Sequence, residues 1–274
     1  WAEALGRMRR SSIVAESPYV GLRPYTTAES GLFFGRERSL EELLEACSRT
    51  RPPRIVMVVG ASGTGKSSLL AAGLIGRGTA ADGPLSHLVP VQSTVRDLLS
   101  WKTPSDATLL VVDQFEEIQQ LNTAETSRLV DILCRLPEHV TCVIGLNANA
   151  VGSVLRQERL APFLASPVLV GPLTTAEYRQ IIEVPARHHG RAVSTELTHV
   201  LIRDLHQYGY PDPGIVLPLL SNTLKRCWNA ASGETLTTSD YLASGGLWTS
   251  LNDEAETVWQ DLPAQDSPMV RRLM

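Results

Sequence analysis

The sequence predicts an α/β fold: a parallel sheet carrying a glycine-rich phosphate loop, followed by an all-α segment. Three observations predict it. Ile55-Val56-Met57-Val58-Val59 is continuously apolar and rich in β-branched residues, as a parallel strand buried on both faces should be. It runs directly into Gly60-Ala61-Ser62-Gly63-Thr64-Gly65-Lys66-Ser67, which satisfies G-x-x-x-x-G-K-[ST] at every fixed position, and an apolar helical segment, Ser68 to Ile75, follows at once. Beyond Leu173 no strand signal remains, and helical patterns take over.

The chemistry of the loop explains its residue types. Gly60, Gly63 and Gly65 let the backbone curl, so that the N–H groups from Ala61, Ser62 and Thr64 onward can point at a phosphate. The helix that starts near Lys66 and includes Ser68 adds its positive end. Lys66 supplies a mobile cation for the β- and γ-phosphates, and the Ser67 hydroxyl is placed to ligate Mg²⁺. The expected ligand is a nucleoside triphosphate.

Composition narrows the class. With 274 residues, one core and one or two appendages are expected. A hydrophobic content of 43%, a charged content of 20% and a formal charge of −4 give no electrostatic reason to expect nucleic-acid binding. No apolar run approaches bilayer-spanning length, so no membrane partner is expected. Cys47, Cys134, Cys142 and Cys227 lack C-x-x-C spacing, which fits a reducing, cytoplasmic setting. The chain begins at Trp1 and stops at Met274 inside a helical pattern, and reads as part of a longer polypeptide.

Taken in order, residues 1–17 are an N-terminal tail, with a short basic helix through Arg7, Arg9 and Arg10. An extended approach, Pro18 to Tyr25, leads to Phe33-Phe34-Gly35-Arg36-Glu37, which opens a helix through Leu40, Leu43, Leu44 and Cys47. The aromatic pair either clasps a base or serves as core, with Arg36 and Glu37 as a surface pair. After the phosphate loop come a short strand (His87 to Val91), a short helix (Thr94 to Trp101) and the apolar strand Thr108 to Val112, which ends in Asp113. That is a Walker B arrangement, in which Asp113 holds Mg²⁺ through water beside Ser67; the alternative is a strand-end cap. A second carboxylate is needed to polarise the attacking water, and Gln114 stands where it is often found. Glu117 is the first candidate and Glu116 the second; either could instead cap the next helix.

The helix Thr123 to Leu136 and the buried strand Val140 to Leu146 follow. Asn147 and Asn149 lie at the carboxyl end of that strand, where a polar side chain can sense the γ-phosphate or simply make a turn. Val168 to Val170 is a last strand, and Gly171-Pro172 marks a boundary, so residues 18–170 form the core. Residues 171–238 are a helical unit: Thr175 to Val184, Ser194 to about Tyr208, and Leu217 to Ala231, entered through the turn Tyr210 to Gly214, with Pro218 in a first turn. His188 and His189 have no third metal ligand in frame. Residues 239–274 begin a further unit, with a long amphipathic helix from Trp248 to Leu262.

The order Phe-Phe-Gly-Arg-Glu, phosphate loop, Val111-Val112-Asp113-Gln114-Phe115-Glu116-Glu117, Val170-Gly171-Pro172-Leu173 and Pro213-Gly214-Ile215-Val216-Leu217-Pro218-Leu219-Leu220-Ser221 closely resembles the novel STAND NTPase family of signal-transduction ATPases. The resemblance runs from about Pro18 to the C-terminus. It implies a P-loop NTPase core of the ASCE/STAND type, a helical subdomain and the start of a winged helix. By resemblance Gly35, Arg36 and Glu37 would contact nucleotide from the N-terminal side, and Pro218 would be the proline through which the helical subdomain senses it. The implied cofactors are ATP or ADP with Mg²⁺. The implied partners are effector and sensor domains of the same longer chain, often a WD-repeat sensor, and further copies in the ATP state. Where relatives read Leu-Arg-Ala-Asp-Phe, this chain has Leu146-Asn147-Ala148-Asn149-Ala150. Losing a cation there implies slow hydrolysis with binding retained, because the loop amides and Lys66 remain.

Overall fold

The computed structural model describes residues 17–49, 54–207 and 215–247. The basic N-terminal helix, the turn from Tyr210 to Gly214, and the elements expected from Trp248 and Met269 onward lie outside the described residues.

An extended strap, residues 17–36, precedes helix α1 (Glu37–Arg49) and contains a 3-10 turn at Thr27–Leu32. Strand β1 (Arg54–Gly60) ends in the phosphate loop, and the helix after it starts as an α-helical turn, Lys66–Ser68 (α2). It continues as the π-helical stretch Leu69–Gly78. Then come β2 (Val89–Ser93), α3 (Val95–Leu98), β3 (Thr108–Val112), a 3-10 turn at Phe115–Gln120, and α4 (Thr123–Cys134). Strand β4 (Val140–Asn147), α5 (Val151–Leu155) and β5 (Val168–Leu169) complete the sheet region.

The strands form one five-stranded sheet in the order β2-β3-β4-β1-β5, and every adjacent pair is parallel. Alternate residues explain why the central strands are apolar throughout. Ile55, Met57 and Val59 pack with Phe115, Leu129 and Leu133 on one face, while Val56 and Val58 pack with Leu43, Leu69 and Leu74 on the other. Strand β2 sits at an edge, which is where its Pro90, lacking an N–H, is tolerated.

The remaining elements are α6 (Thr175–His188), β6 (Ala192–Val193), α7 (Thr195–Gln207), α8 (Val216–Ala230), β7 (Thr235–Leu236) and α9 (Thr238–Ala243). They share a third core that includes Ile182, Leu201, Leu220 and Trp228. Two expectations change here. The segment expected to be all-α also holds a parallel ladder of β6 with β7, whose two-residue strands are too short to show alternation in sequence. Helix α6 was expected to stop before Pro185, yet it runs on to His188. A proline withdraws only its own N–H, whose partner would be the Ile181 carbonyl, so one bond is lost and the helix continues; separately, the Tyr19 hydroxyl donates to the Ile182 carbonyl. Tyr19 thereby belongs to this third core, edge-on to Trp228 at 6.2 Å.

Candidate functional site

The register of the sheet places the candidate carboxylate. Val112 of β3 pairs with Ile144 of β4, so Asp113 and Gly145 fall side by side just beyond. A Cβ on Gly145 would come within 2.6 Å of Asp113 Oδ1 and 2.8 Å of the Leu70 side chain. Only a residue without a side chain lets Asp113 lie over β4 toward the helix of the phosphate loop, because β4 stands between β3 and β1. Sequence reasoning missed Gly145, although a lone glycine within Val140–Leu146 was a signal.

The phosphate loop is held by its own side chains. Gly63 and Gly65 adopt φ of +63° and +89°, values that side-chain-bearing residues rarely reach. Thr64 Oγ1 donates to the Ala61 carbonyl at 2.9 Å. Lys66 is buried and its Nζ donates to the Gly60 and Ala61 carbonyls at 2.9 and 2.7 Å. Burial pushes the Lys66 pKa down, while the Glu116 and Asp113 carboxylates pull it back up.

Two cavities meet at this loop. One, of about 290 Å³, is walled by the strap (Val20, Leu22, Phe34, Arg36), by Gly63, Gly65 and Lys66, and by Ile181, Pro185, Leu217 and Pro218 of α6 and α8. The other, of about 380 Å³, is lined by Ser67 and Asp113 together with Thr94 and Asp97. Ser67 lines both. A serine hydroxyl and a carboxylate on one cavity are hard oxygen donors of the kind Mg²⁺ takes, and the loop beside them fits a polyphosphate.

The strap binds the two sides together. Arg36 is buried, its Nη2 donating to the Thr64 carbonyl at 2.7 Å, and its Nε has no hydrogen-bond partner among the described residues. Burial lowers the Arg36 pKa, opposed by the carboxylate of Glu177. Gly35, at φ +79°, presses on α6: a Cβ there would lie 2.6 Å from Ile181 and 2.8 Å from the Glu177 carbonyl. The Glu37 carboxylate accepts from the Gly35 N–H at 3.1 Å. Of these three residues, Arg36 lines the first cavity. Ser68 Oγ accepts from the Tyr25 N–H at 3.1 Å, and Ser221 Oγ accepts from the Gly21 N–H at 3.0 Å. Phe33 is buried in the sheet core and Phe34 lies edge-on to His188 at 5.1 Å, and both line the first cavity.

The candidate carboxylates separate. Glu116 accepts from the Asn147 N–H at 3.0 Å and is one of the charges acting on Lys66. Neither Glu116 nor Glu117, its neighbour on the same 3-10 turn, lines either cavity. The Asn147 side chain accepts from the Asn149 N–H at 3.0 Å, capping the turn at Ala148–Ala150, and it too lines neither cavity. Gln114, passed over in sequence, lines the first cavity beside Gly63 and Lys66.

Comparison with known proteins bears on the family and the fold. The model of a family described as nSTAND1, Novel STAND NTPase 1, matches residues 18–274. The chain is similar in fold to the Aeropyrum pernix ORC1 protein, solved in complex with DNA, at a TM-score of 0.58 and 17% identity, over 85% of this chain and 69% of that one. No curated protein matches.

Proposed function

The chain belongs to the novel STAND NTPase 1 family, a group of nucleotide-binding P-loop NTPases, and from that premise we propose that it is a nucleotide-gated switch. One observation carries the reading: a single cavity has walls from the strap, from the phosphate loop and from α6 with α8. A nucleotide held there would touch all three, so its binding free energy would depend on how they are placed, which a ligand-driven switch requires. ADP would stabilise a closed, autoinhibited monomer, and exchange to ATP would release α6 and α8 and permit self-association. The effector and sensor would lie in other domains of a longer, cytoplasmic polypeptide. Residues 18–170 would be the core, 171–238 the helical subdomain and 239–274 the start of a winged helix. Among the described residues no helix is long and apolar enough to cross a membrane.

The residues have separable tasks. The amides from Ala61 to Ser68 would hold the phosphates, and Lys66 would turn from the loop carbonyls to the β- and γ-phosphates. Mg²⁺, held by Ser67 and Asp113, would neutralise phosphate charge when bound. Arg36 would keep the loop in shape through Thr64. Glu116, whose carboxylate opposes the lowering of the Lys66 pKa and accepts from the Asn147 N–H, would orient water in preference to Glu117. With asparagine at 147 and 149, hydrolysis would be slow.

The test is to denature the purified chain, identify any released nucleotide by chromatography, and follow steady-state ATP hydrolysis beside Lys66→Ala. Co-purified ADP with slow, Lys66-dependent turnover is expected. No carried nucleotide, and no rise in melting temperature with ATP or ADP, would defeat the reading. Bound ATP without turnover would favour a nucleotide-stabilised scaffold, and Asn147→Arg would then be made. The ORC1 likeness raises a DNA-binding reading, which the net charge of −4 opposes; salt-dependent retention on DNA would revive it.

A further inference from the structure

We propose that Gln114 distinguishes a nucleoside triphosphate from a diphosphate, its side-chain amide contacting the terminal phosphate. The inference rests on the nucleotide reading above. Gln114 has φ +55° and ψ 43°, and among the described residues no other non-glycine has a positive φ. That conformation is unfavourable for an L-residue with a side chain, and such outliers persist where the surroundings over-determine them.

The surroundings here do so. The Gln114 N–H donates to Asp113 Oδ1 at 2.9 Å, and its carbonyl accepts from the Glu117 N–H at 3.0 Å. Phe115, the next residue, is fully buried in the sheet core. The left-handed turn therefore sorts four consecutive side chains to four destinations. Asp113 lines the cavity of Ser67, Gln114 the cavity of Gly63 and Lys66, Phe115 the core, and Glu116 the Asn147 N–H. A right-handed residue at 114 could not keep both Asp113 and Phe115 in place while facing the loop.

The residue type fits the task. A neutral amide both donates and accepts, so it can bond a phosphate oxygen or a water without adding charge repulsion, and it is too weak a base to remove a proton. Gln114 is thus a specificity-determining residue, and proton removal falls elsewhere. Because the amide is exposed at the cavity and the loop amides hold the inner phosphates, its loss should be felt by the triphosphate alone.

The discriminating variant is Gln114→Gly, since glycine adopts the left-handed conformation without strain. Affinities for a non-hydrolysable ATP analogue and for ADP, both with Mg²⁺, would be measured by calorimetry on wild type, Gln114→Gly and Lys66→Ala, with melting temperatures alongside. The expected result is a triphosphate affinity about tenfold weaker in Gln114→Gly, diphosphate affinity within about twofold of wild type, and a melting temperature equal or higher. Lys66→Ala should weaken both ligands. Gln114→Gly with an unchanged ratio of the two affinities would overturn the inference and leave the nucleotide reading standing. Wild type binding neither ligand would overturn the nucleotide reading itself, and this inference with it. Should Gln114→Gly melt far below wild type, Gln114→Asp, which also tolerates the left-handed region but has no N–H to donate and adds a repelling charge, replaces it under the same two criteria.

Discussion

The two sides of the cleft are built in different ways. The floor is contiguous: Gly60 to Ser68 leave a strand whose neighbours are paired on both sides, and every residue from Ile55 to Gly60 is buried. The opposite wall is assembled from Val20–Arg36, from Ile181 and Pro185, and from Leu217–Ser221, the first stretch lying well over a hundred residues from the other two. The polar ties described for the strap run to several elements: Gly21 to Ser221, Tyr25 to Ser68, Arg36 to Thr64, Tyr19 to Ile182, and Arg77 to Ser30 and Phe33. A floor set in a parallel sheet resists deformation, while a wall pinned by single hydrogen bonds, each worth about 1 kcal/mol, can shift when a ligand repays their loss. On the switch reading proposed above, the wall is the part that would move.

The strongest challenge to that contrast is Gly145→Ala on the floor side. The new methyl group would overlap Asp113 Oδ1 and the Leu70 side chain, displacing the carboxylate from its place over β4. Mg²⁺-dependent nucleotide affinity should fall more than tenfold, with stability lower by about 1–3 kcal/mol. Titration with and without Mg²⁺ would check it, and equal affinity in the variant would place Asp113 outside the metal's reach. On the wall side, Gly35→Ala combines a φ of +79° with a 2.6 Å approach to Ile181. A loss of about 1–3 kcal/mol in chemical denaturation is expected. Faster amide exchange should be confined to the strap and α6, with the sheet strands protected as before. If exchange rises equally in β1 and β4, the wall is no softer than the floor.

The same contrast explains what was legible in the sequence. Ile55 to Ser68 spells strand, loop and helix in one unbroken run, and Thr108 to Asp113 spells the second strand, so each could be read locally. Parallel pairing was readable from continuous apolar runs; strand order was not, because it depends on crossovers. The wall left only fragments: Pro218 and Arg36 came from resemblance, and nothing local tied them to one cavity. That Phe33 is more deeply buried than Phe34 depends on which side of the strap meets the core. Gly145 and Gln114 were hidden for a shared reason. Their roles come from the residue across the sheet or from a backbone dihedral, and neither appears in a pattern of residue types. The β6–β7 ladder was too short to have a period.

Tyr19→Phe would sharpen the comparison more gently. Its hydroxyl donates to the Ile182 carbonyl within the third core, and the ring's contact with Trp228 survives the change. A cost of about 1 kcal/mol is expected, seen as an equal drop in denaturation midpoint with and without nucleotide. A drop that appears only with nucleotide bound would instead make Tyr19 part of the switch.

The smallest effect concerns acid. Arg23 and Glu29 pair on the strap, and Glu29 Oε2 also accepts from the Thr26 N–H at 2.9 Å. The bond from Arg23, aided by those from Thr26, lowers the Glu29 pKa to about 2, against about 4.3 for an unfolded glutamate. A carboxylate with a depressed folded pKa stabilises the fold above its unfolded value and loses that contribution as pH falls through the folded one. The window is therefore about pH 4.3 down to about 2, and nothing should change at neutral pH. Arg23 is 53% exposed, so solvent screening keeps the pair below about 1 kcal/mol. Arg23→Gln should be slightly less stable than wild type at pH 6, and the gap should narrow as the pH approaches 2.5. A gap that stays constant on acidification would mean the Arg23 side chain stabilises the strap by packing over it. The ion pair would then contribute nothing measurable, and the wall would depend on its buried ties alone.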